Sequence, residues 1–567
     1  MKTLTLGVLV LITLLVGAIA RAGETPAYTW RSVAVRGGGF VTAIVAHPRE
    51  RDLFYARTDV GGAYRWDAPT KEWVALTDWI GMADANLTGC ESVAVDLSDP
   101  NRVYLALGTY TNPRVGNGAI VRSNDRGKTF QRTDMPFKMG ANEAGRGNGE
   151  RLAVDPNDGN IIFFGSRDAG LWKSADGAAT WKRVDAFPAI ATENSSRAND
   201  RWNQPVGIVF VVFDPQQRGT IYAGVSTRET SFYRSTDAGN TWEAVPNQPT
   251  GLRPNHAAFA QDGMMYLSYG NDPGPNTMTD GAVRKFNTKD GTFTDISPVK
   301  PGGASKFGFG CVAVDASDPN TIMVTTFCRW NPGDDIFRST DGGKTWKGTF
   351  ASAQWDHSKA PWTAHAKPHW MSNVTIDPFD RDHVMFTTGY GIWACRNVGA
   401  VDSDKPTNWT FDDEGFEETV PIGLISPPEG AHLLSALGDI DGYRHDDLTV
   451  AQLQYTAPPR FSNSESIAFA ENAPSVIART GTIRERTPGQ TRGAYSTDGG
   501  LTWTSFKSEP ALPAGQTDGG FGQGSGLISV SSDGKTLVWN FRRGLAFFSR
   551  DNGTTWTAST GLNENVG

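Results

Sequence analysis

Ser339-Thr340-Asp341-Gly342-Gly343-Lys344-Thr345-Trp346 has the makings of a self-wired hairpin turn. The Asp341 carboxylate is placed to accept hydrogen bonds from the turn's own amides, a glycine supplies the positive φ, and the indole is left to fill the space between adjoining sheets. Five more segments read on the same pattern, Ser-x-Asp-x-Gly-x-Thr followed by Trp or Phe: Ser123–Phe130, Ser174–Trp181, Ser235–Trp242, Ser496–Trp503 and Ser549–Trp556. Each follows an apolar or aromatic tripeptide of strand character, such as Leu171-Trp172-Lys173 or Ile336-Phe337-Arg338. Six copies make this a repeat protein of short strands and assign the six aspartates to turns rather than to chemistry.

A second repeat interleaves with the first: an apolar run, an Asp-Pro-like or His-Pro turn, then a strand ending in small residues. It occurs at Ile44–Thr58, Val93–Gly108, Leu152–Ser166, Val211–Ser226, Phe259–Gly270, Val312–Thr326 and Val374–Gly389, with turn anchors 48 to 62 residues apart. A period near 50 with several short strands per unit describes propeller blades. Seven such units fill residues 26–415 and predict a seven-bladed β-propeller. After Ser426-Pro427-Pro428 the pattern restarts, and residues 421–567 hold about three blade-like units, near Leu433–Gly442, Ser466–Trp503 and Leu527–Trp556. The expected fold is therefore all-β, with tandem β-propellers of which the second is partial. Three blades leave bare sheet edges and cannot close a ring, so the chain is expected to be a fragment of a longer product. The Ser-x-Asp segments resemble the Asp-box of sialidases and related propellers, which implies a structural motif lying away from any ligand.

Composition agrees with short strands and turns. The chain has 64 Gly and 32 Pro, and 18 Trp raise the aromatic share to 11%. Long helices tolerate neither Gly nor Pro in their interiors. With 53 Lys and Arg against 61 Asp and Glu, the net charge is −8, and no dense basic field is present of the kind that phosphate backbones require. Nucleic acid is thereby excluded as a partner, and abundant Trp suits a neutral ligand with flat apolar faces, such as a sugar ring. Residues 1–22 read as a cleaved signal peptide: Met1-Lys2, an apolar run from Leu4 to Ala20, then Ala20-Arg21-Ala22. The mature chain is expected to be secreted, extracellular or periplasmic, with no membrane attachment after cleavage. Cys90, Cys311, Cys328 and Cys395 leave two readings open, a Cys311–Cys328 disulfide or four buried thiols. His365 and His369 stand four apart, but Pro368 argues against a helix there, and no metal is assigned.

Two carboxylates stand in contexts that the repeats do not explain. Asp59 lies in Tyr55-Ala56-Arg57-Thr58-Asp59-Val60-Gly61-Gly62, at the end of a first-blade strand, where Gly61 and Gly62 admit close approach by another backbone or a ligand. Asp439 lies in Leu434-Ser435-Ala436-Leu437-Gly438-Asp439-Ile440-Asp441-Gly442, the equivalent place in the first unit of the second domain. Facing propellers would bring one carboxylate from each across a shared cleft.

Tyr55–Trp66 and Leu434–His445, which hold these two aspartates, resemble the catalytic segments of glycoside hydrolase family 74, the xyloglucanases. The resemblance extends to Val35–Phe40, Gly145–Asp155, Arg329–Asp334 and Ile376–Asp380. It implies two seven-bladed propellers flanking an open cleft, and cleavage of a β-1,4-glucan backbone, xyloglucan or a related plant β-glucan, with inversion. It also implies Asp59 as general base, Asp439 as general acid, no cofactor and a monomer. The acid is expected to have a raised pKa from burial or from Asp441, Asp446 or Asp447 nearby. Trp66, Trp330, Trp355, Trp362 and Trp370, outside the turn motif, are the candidate sugar platforms. Two departures from the family are Asp441, where a second glycine is usual, and Asn331, where a second Trp often follows Trp330. Two rival readings are a non-catalytic polysaccharide-binding propeller and a sialidase-like hydrolase in which Arg57 would bind a carboxylate.

Overall fold

The computed structural model describes residues 29–188, 194, 204–483, 489–511, 525–541 and 546–560. The expected signal peptide, residues 1–22, lies outside them. Residues from Ala34 onward form one compact unit, whereas residues 29–33 belong to a separate N-terminal unit and carry no strand.

The described residues are all-β apart from three short 3-10 turns, and their strands form ten sheets. Six four-stranded antiparallel meanders follow one another from Val41 to Gly348. In the seventh sheet, Val374–Asp377, Asp380–Thr388, Gly391–Cys395 and Asn408–Phe411 pair in order, and Gln354–Asp356 adds a fifth strand parallel to the last. Three further sheets span Pro421–His445, Asn463–Ser505 and Gly526–Ala558.

The first strand of each sheet lies against the first strand of the next. Cys90–Asp96 packs on Leu152–Asp155, followed by Ile208–Phe213, Arg253–Phe259, Gly308–Val314 and Val374–Asp377, which returns to Val41–Ala46. Five of these strands line a hollow of about 650 Å³, through Ile44, Val211, His256, Val312 and Val374. The core follows the same order, because each sheet has two apolar faces and buries both against its neighbours. Leu53, Tyr55 and Leu76 of the first sheet meet Val93, Val103 and Val121 of the second in one cluster. Ile44 and Tyr64 meet Met385 and Ile392 of the seventh sheet in another. Each such side chain contributes about 1.5–3 kcal/mol on burial.

The turn motif is wired as its sequence predicts. Asp341 Oδ1 accepts from Ser339 Oγ (2.8 Å) and Thr345 N (2.9 Å), Oδ2 accepts from Thr345 Oγ1 (2.6 Å), and Gly343 N donates to Ser339 Oγ (2.9 Å). These donors pull the carboxyls of Asp125, Asp176, Asp237, Asp341 and Asp551 down to about 2, the neighbouring Thr being the main cause. Their acceptor sites are spent on the turn, as structural aspartates require.

One copy departs from the pattern. Gly127, Gly239, Gly343, Gly500 and Gly553 have φ between 74° and 87°, but the second copy places Ala178 there at φ 68°. An alanine in the left-handed region is strained by about 1–2 kcal/mol. Ala178→Gly is expected to stabilise the protein by about 1 kcal/mol after glycine's larger entropy loss, read as a rise in urea midpoint with an unchanged slope.

All four cysteines are free and buried, so the second of the two cysteine readings holds. Cys328 Sγ donates to Pro275 O (2.7 Å), and Cys311 Sγ lies 3.7 Å from Val374 O.

Candidate active site

Asp59 follows the fully buried strand Phe54–Thr58. Thr58 N donates to Gly62 O (2.9 Å) and Gly61 N to Thr58 Oγ1 (2.8 Å), which closes a tight turn around Asp59. Gly62 has φ 83°, and a Cβ there would collide with Thr77 Oγ1. The Asp59 side chain is enclosed: the residue is 7% exposed, its N–H donates to Phe40 O (3.3 Å), and Oδ2 is 3.0 Å from Arg146 Nε. The Arg146 guanidinium in turn lies over the rings of Phe40 (5.4 Å) and Trp370 (5.3 Å), which fixes its orientation.

Burial pushes the Asp59 carboxyl up to about 6. Arg146 and a hydrogen bond from Glu418 oppose that rise, and the negative charge of Asp439 adds to it. The two sequence-predicted aspartates, 380 residues apart in the chain, therefore stand within electrostatic reach of each other.

Asp439 follows the strand Leu433–Leu437 in a loop that holds two successive left-handed aspartates, Asp439 at φ 63° and Asp441 at φ 67°. Unlike Asp59 it is exposed. Its N–H donates to Asn463 Oδ1 (2.7 Å), and it borders a hollow of about 130 Å³ together with Trp362, His365, Tyr390, Gln454 and Arg460.

Asp439 is not buried, and the three carboxylates that the sequence places near it are each engaged by other groups. Asp441 is fully buried in an ion pair with Arg479, and its carboxylate also accepts from Ser464 Oγ (2.7 Å) and Phe461 N (3.1 Å). Asp446 pairs with Arg444 (2.6 Å), and Asp447 accepts from Thr449 (2.6 Å). Two carboxyls with raised pKa stand together on the Asp59 side. Glu418, which the sequence reading missed, is raised well above the usual carboxylate range by burial and by the charge of Asp59.

The five tryptophans divide. Trp330 is 59% exposed beside the His369 ring (5.8 Å). Trp370 is half-buried, its indole N–H on Asn276 Oδ1 (3.0 Å) and one face toward Arg146. His369 and Tyr390, with rings 4.8 Å apart, carry the aromatic row from Trp370 on to Trp362. Trp362 borders the Asp439 hollow but is only 1% exposed, with its N–H on Val35 O (2.9 Å). Trp66 and Trp355 are half-buried, each packed against the edge of a core cluster. Trp66 packs on Trp73 (5.5 Å) on adjoining strands of the first sheet. Trp355 is enclosed by Phe350, Trp393 and Trp409. Part of each indole is thus engaged by neighbouring rings.

Arg57 is likewise committed, which removes the opening for a sialidase-like site. Its guanidinium is buried, donating to Glu150 Oε1 (2.7 Å), Thr42 Oγ1 (2.8 Å) and the carbonyls of Arg146 and Asn148 (both 2.9 Å).

Fold and site together define an all-β repeat protein with a buried and an exposed carboxylate set close to a row of aromatic side chains. The BNR/Asp-box repeat model matches residues 337–347. A xyloglucanase from Paenibacillus sp is 42% identical over 95% of this chain and 55% of its own length. A probable oligoxyloglucan-reducing end-specific xyloglucanase from Neosartorya fischeri is 38% identical over 96% of this chain and 74% of its own. The crystal structure of the GH74 xyloglucanase from Xanthomonas campestris superposes with a TM-score of 0.90 at 51% identity, covering 95% of this chain and 76% of that one. The chain belongs to glycoside hydrolase family 74, and it spans little more than half the length of the Paenibacillus relative.

Proposed function

We propose that this chain hydrolyses the β-1,4-glucan backbone of xyloglucan with inversion at the anomeric carbon. Asp59 activates the water as general base, and Asp439 protonates the leaving oxygen as general acid. The observation that carries this reading is the pairing of a buried, Arg146-bound Asp59 with an exposed Asp439 whose charge it senses. An inverting reaction needs one carboxyl on each side of the linkage, separated widely enough to admit a water. The two differ in environment as the roles demand: the base is held in place by an arginine, and the acid is open to an arriving sugar oxygen.

The scaffold reading that accompanies it is a pair of β-propellers, a seven-bladed one over residues 26–415 and a partial one over 421–567. The circuit of first-strand contacts around a shared hollow supports the first. Trp330 and Trp370 are the proposed sugar platforms, with Trp362 flanking the acid. The names of the relatives support xyloglucan as the substrate. Secretion through the 1–22 leader suits a polymer too large to enter a cell. No cofactor has a part in the mechanism, and the chain is taken as a monomer.

The test is reducing-end release from xyloglucan at several pH values. Because Asp59 must be ionised to act and its carboxyl is raised to about 6, kcat/KM is expected to rise with pH on a limb set by Asp59 and to fall again at the pH where Asp439 loses the proton it must donate. A chain that binds xyloglucan without releasing reducing ends would instead be a polysaccharide-binding propeller.

A further inference from the structure

The structure assigns Glu418 as a positioning residue for Asp59: a carboxylic acid that keeps its proton and donates it in a hydrogen bond to the Asp59 carboxylate. The assignment rests on the reading of Asp59 as the base.

Glu418 reaches the site from the segment between the seventh and eighth sheets, and two glycines make room for it. A Cβ on Gly39 would lie 2.5 Å from Glu418 Cγ, and one on Gly61 would lie 2.8 Å from the same atom. One glycine in each of the motifs Val35–Phe40 and Tyr55–Gly62 is therefore explained by the passage of a single side chain. Oε1 is spent on the turn that carries Asp59, accepting from Gly61 N (2.9 Å) and Val60 N (3.3 Å). Oε2 is buried and receives no donated hydrogen. An ionised carboxylate would leave that oxygen desolvated and unsatisfied. A protonated one turns it into a donor, and the acceptor beside it is Asp59.

The groups facing this pair are few. Arg146 is the cation, and it sits on Asp59 Oδ2 (3.0 Å). Thr58 Oγ1 lies within hydrogen-bond reach of both Gly62 O (3.2 Å) and the Glu418 carboxyl, whose rise it opposes less than burial and the Asp59 charge drive it. Tyr64, whose hydroxyl donates to Glu417 O (2.9 Å), and Asp439 complete the set. One positive charge is available for two carboxyls that are both enclosed. Burial and the Asp59 charge hold Glu418 in its acid form, while Arg146 and the Glu418 hydrogen bond keep Asp59 ionisable near neutrality. During turnover the proton taken from water goes to Asp59, and the proton of Glu418 stays where it is.

Two variants and a spectrum test this. Glu418→Leu removes the donor and is expected to lower kcat/KM at pH 6 at least about tenfold and to move the acid limb up by about one pH unit, since a hydrogen bond to the charged form of Asp59 is lost. Glu418→Gln retains an N–H donor and is expected to recover most of that loss, with the limb within about 0.3 unit of wild type. If Glu418 were ionised, Glu418→Gln would delete a negative charge and move the limb down by about a unit. That shift, or a Gln variant as impaired as Leu, would overturn the assignment. Independently of activity, infrared spectra of ¹³C-glutamate-labelled protein at pH 7 should show a carboxylic-acid carbonyl band that Glu418→Gln removes. Identical spectra would refute the protonated state. A wild type inactive on xyloglucan would count against the hydrolase reading, and the spectra would still decide the state of Glu418.

Discussion

Asp59→Ala is expected to lower kcat/KM on xyloglucan by about 10³–10⁴-fold, within the range for loss of a positioned acid or base. Asp439→Ala should cause a comparable loss on the polymer. The two variants part on an activated substrate. A β-glucoside oligomer with a good aryl leaving group needs no protonation of the departing oxygen, so Asp439→Ala should regain most activity on it and Asp59→Ala should not. The difference follows from the roles: one carboxyl serves the water, the other the leaving group. Recovery by Asp59→Ala instead would exchange the two assignments. Equal impairment on both substrates would mean that Asp439 acts other than as an acid. Circular dichroism guards against misfolding, because Asp59→Ala leaves the buried Arg146 without its carboxylate.

Arg479→Met is the substitution expected to have the largest effect on stability. Arg479 and Asp441 are both fully buried and ion-paired. The guanidinium lies between the rings of Tyr455 (4.7 Å), Phe461 (4.5 Å) and Trp503 (4.6 Å), and it also donates to Pro459 O (2.7 Å). Removing the cation leaves a buried carboxylate uncompensated, a loss of about 3–5 kcal/mol. The double variant Asp441→Gly/Arg479→Met should recover much of it, because glycine also suits the φ of 67° at that position. Thermal and urea melts of the three proteins measure this directly. Activity should fall with Arg479→Met as well, since Asp441 stands two residues from Asp439 and ties its loop to Phe461 and Ser464. Additive losses in the double variant would mean that the two residues stabilise the chain separately.

Much of the fold could be read from the chain because it repeats. A motif such as Ser549–Trp556 carries its whole hydrogen-bond pattern within eight residues, so no knowledge of distant contacts is needed to interpret it. Asp59 and Asp439 could be singled out for a related reason: each follows an apolar strand and is flanked by glycines that turn formation alone does not require. What the sequence hides is whatever arrives from elsewhere. Glu418 reaches Gly61 across 357 residues, and its local sequence, Phe416-Glu417-Glu418-Thr419, looks like an ordinary polar linker. The available signal was indirect, namely glycines at 39 and 61 whose missing side chains leave a space of definite size. The partner of Asp441 is hidden in the same manner. Read along the chain, Asp441 is a carboxylate two residues from Asp439, but Arg479, 38 residues further on, takes up its charge. The ring neighbours of Trp66 and Trp355 are hidden in the same way, since partner strands supply Trp73 and Trp409.

If Asp59 and Asp439 act from opposite sides of one glycosidic bond, the anomeric configuration of the first product reports on that arrangement directly. Proton NMR during early hydrolysis of xyloglucan oligosaccharides should show the α-anomer of the new reducing end appearing first, with the β-anomer growing later by mutarotation. First appearance of the β-anomer would require a double displacement through a carboxylate nucleophile, which contradicts the roles assigned to both residues.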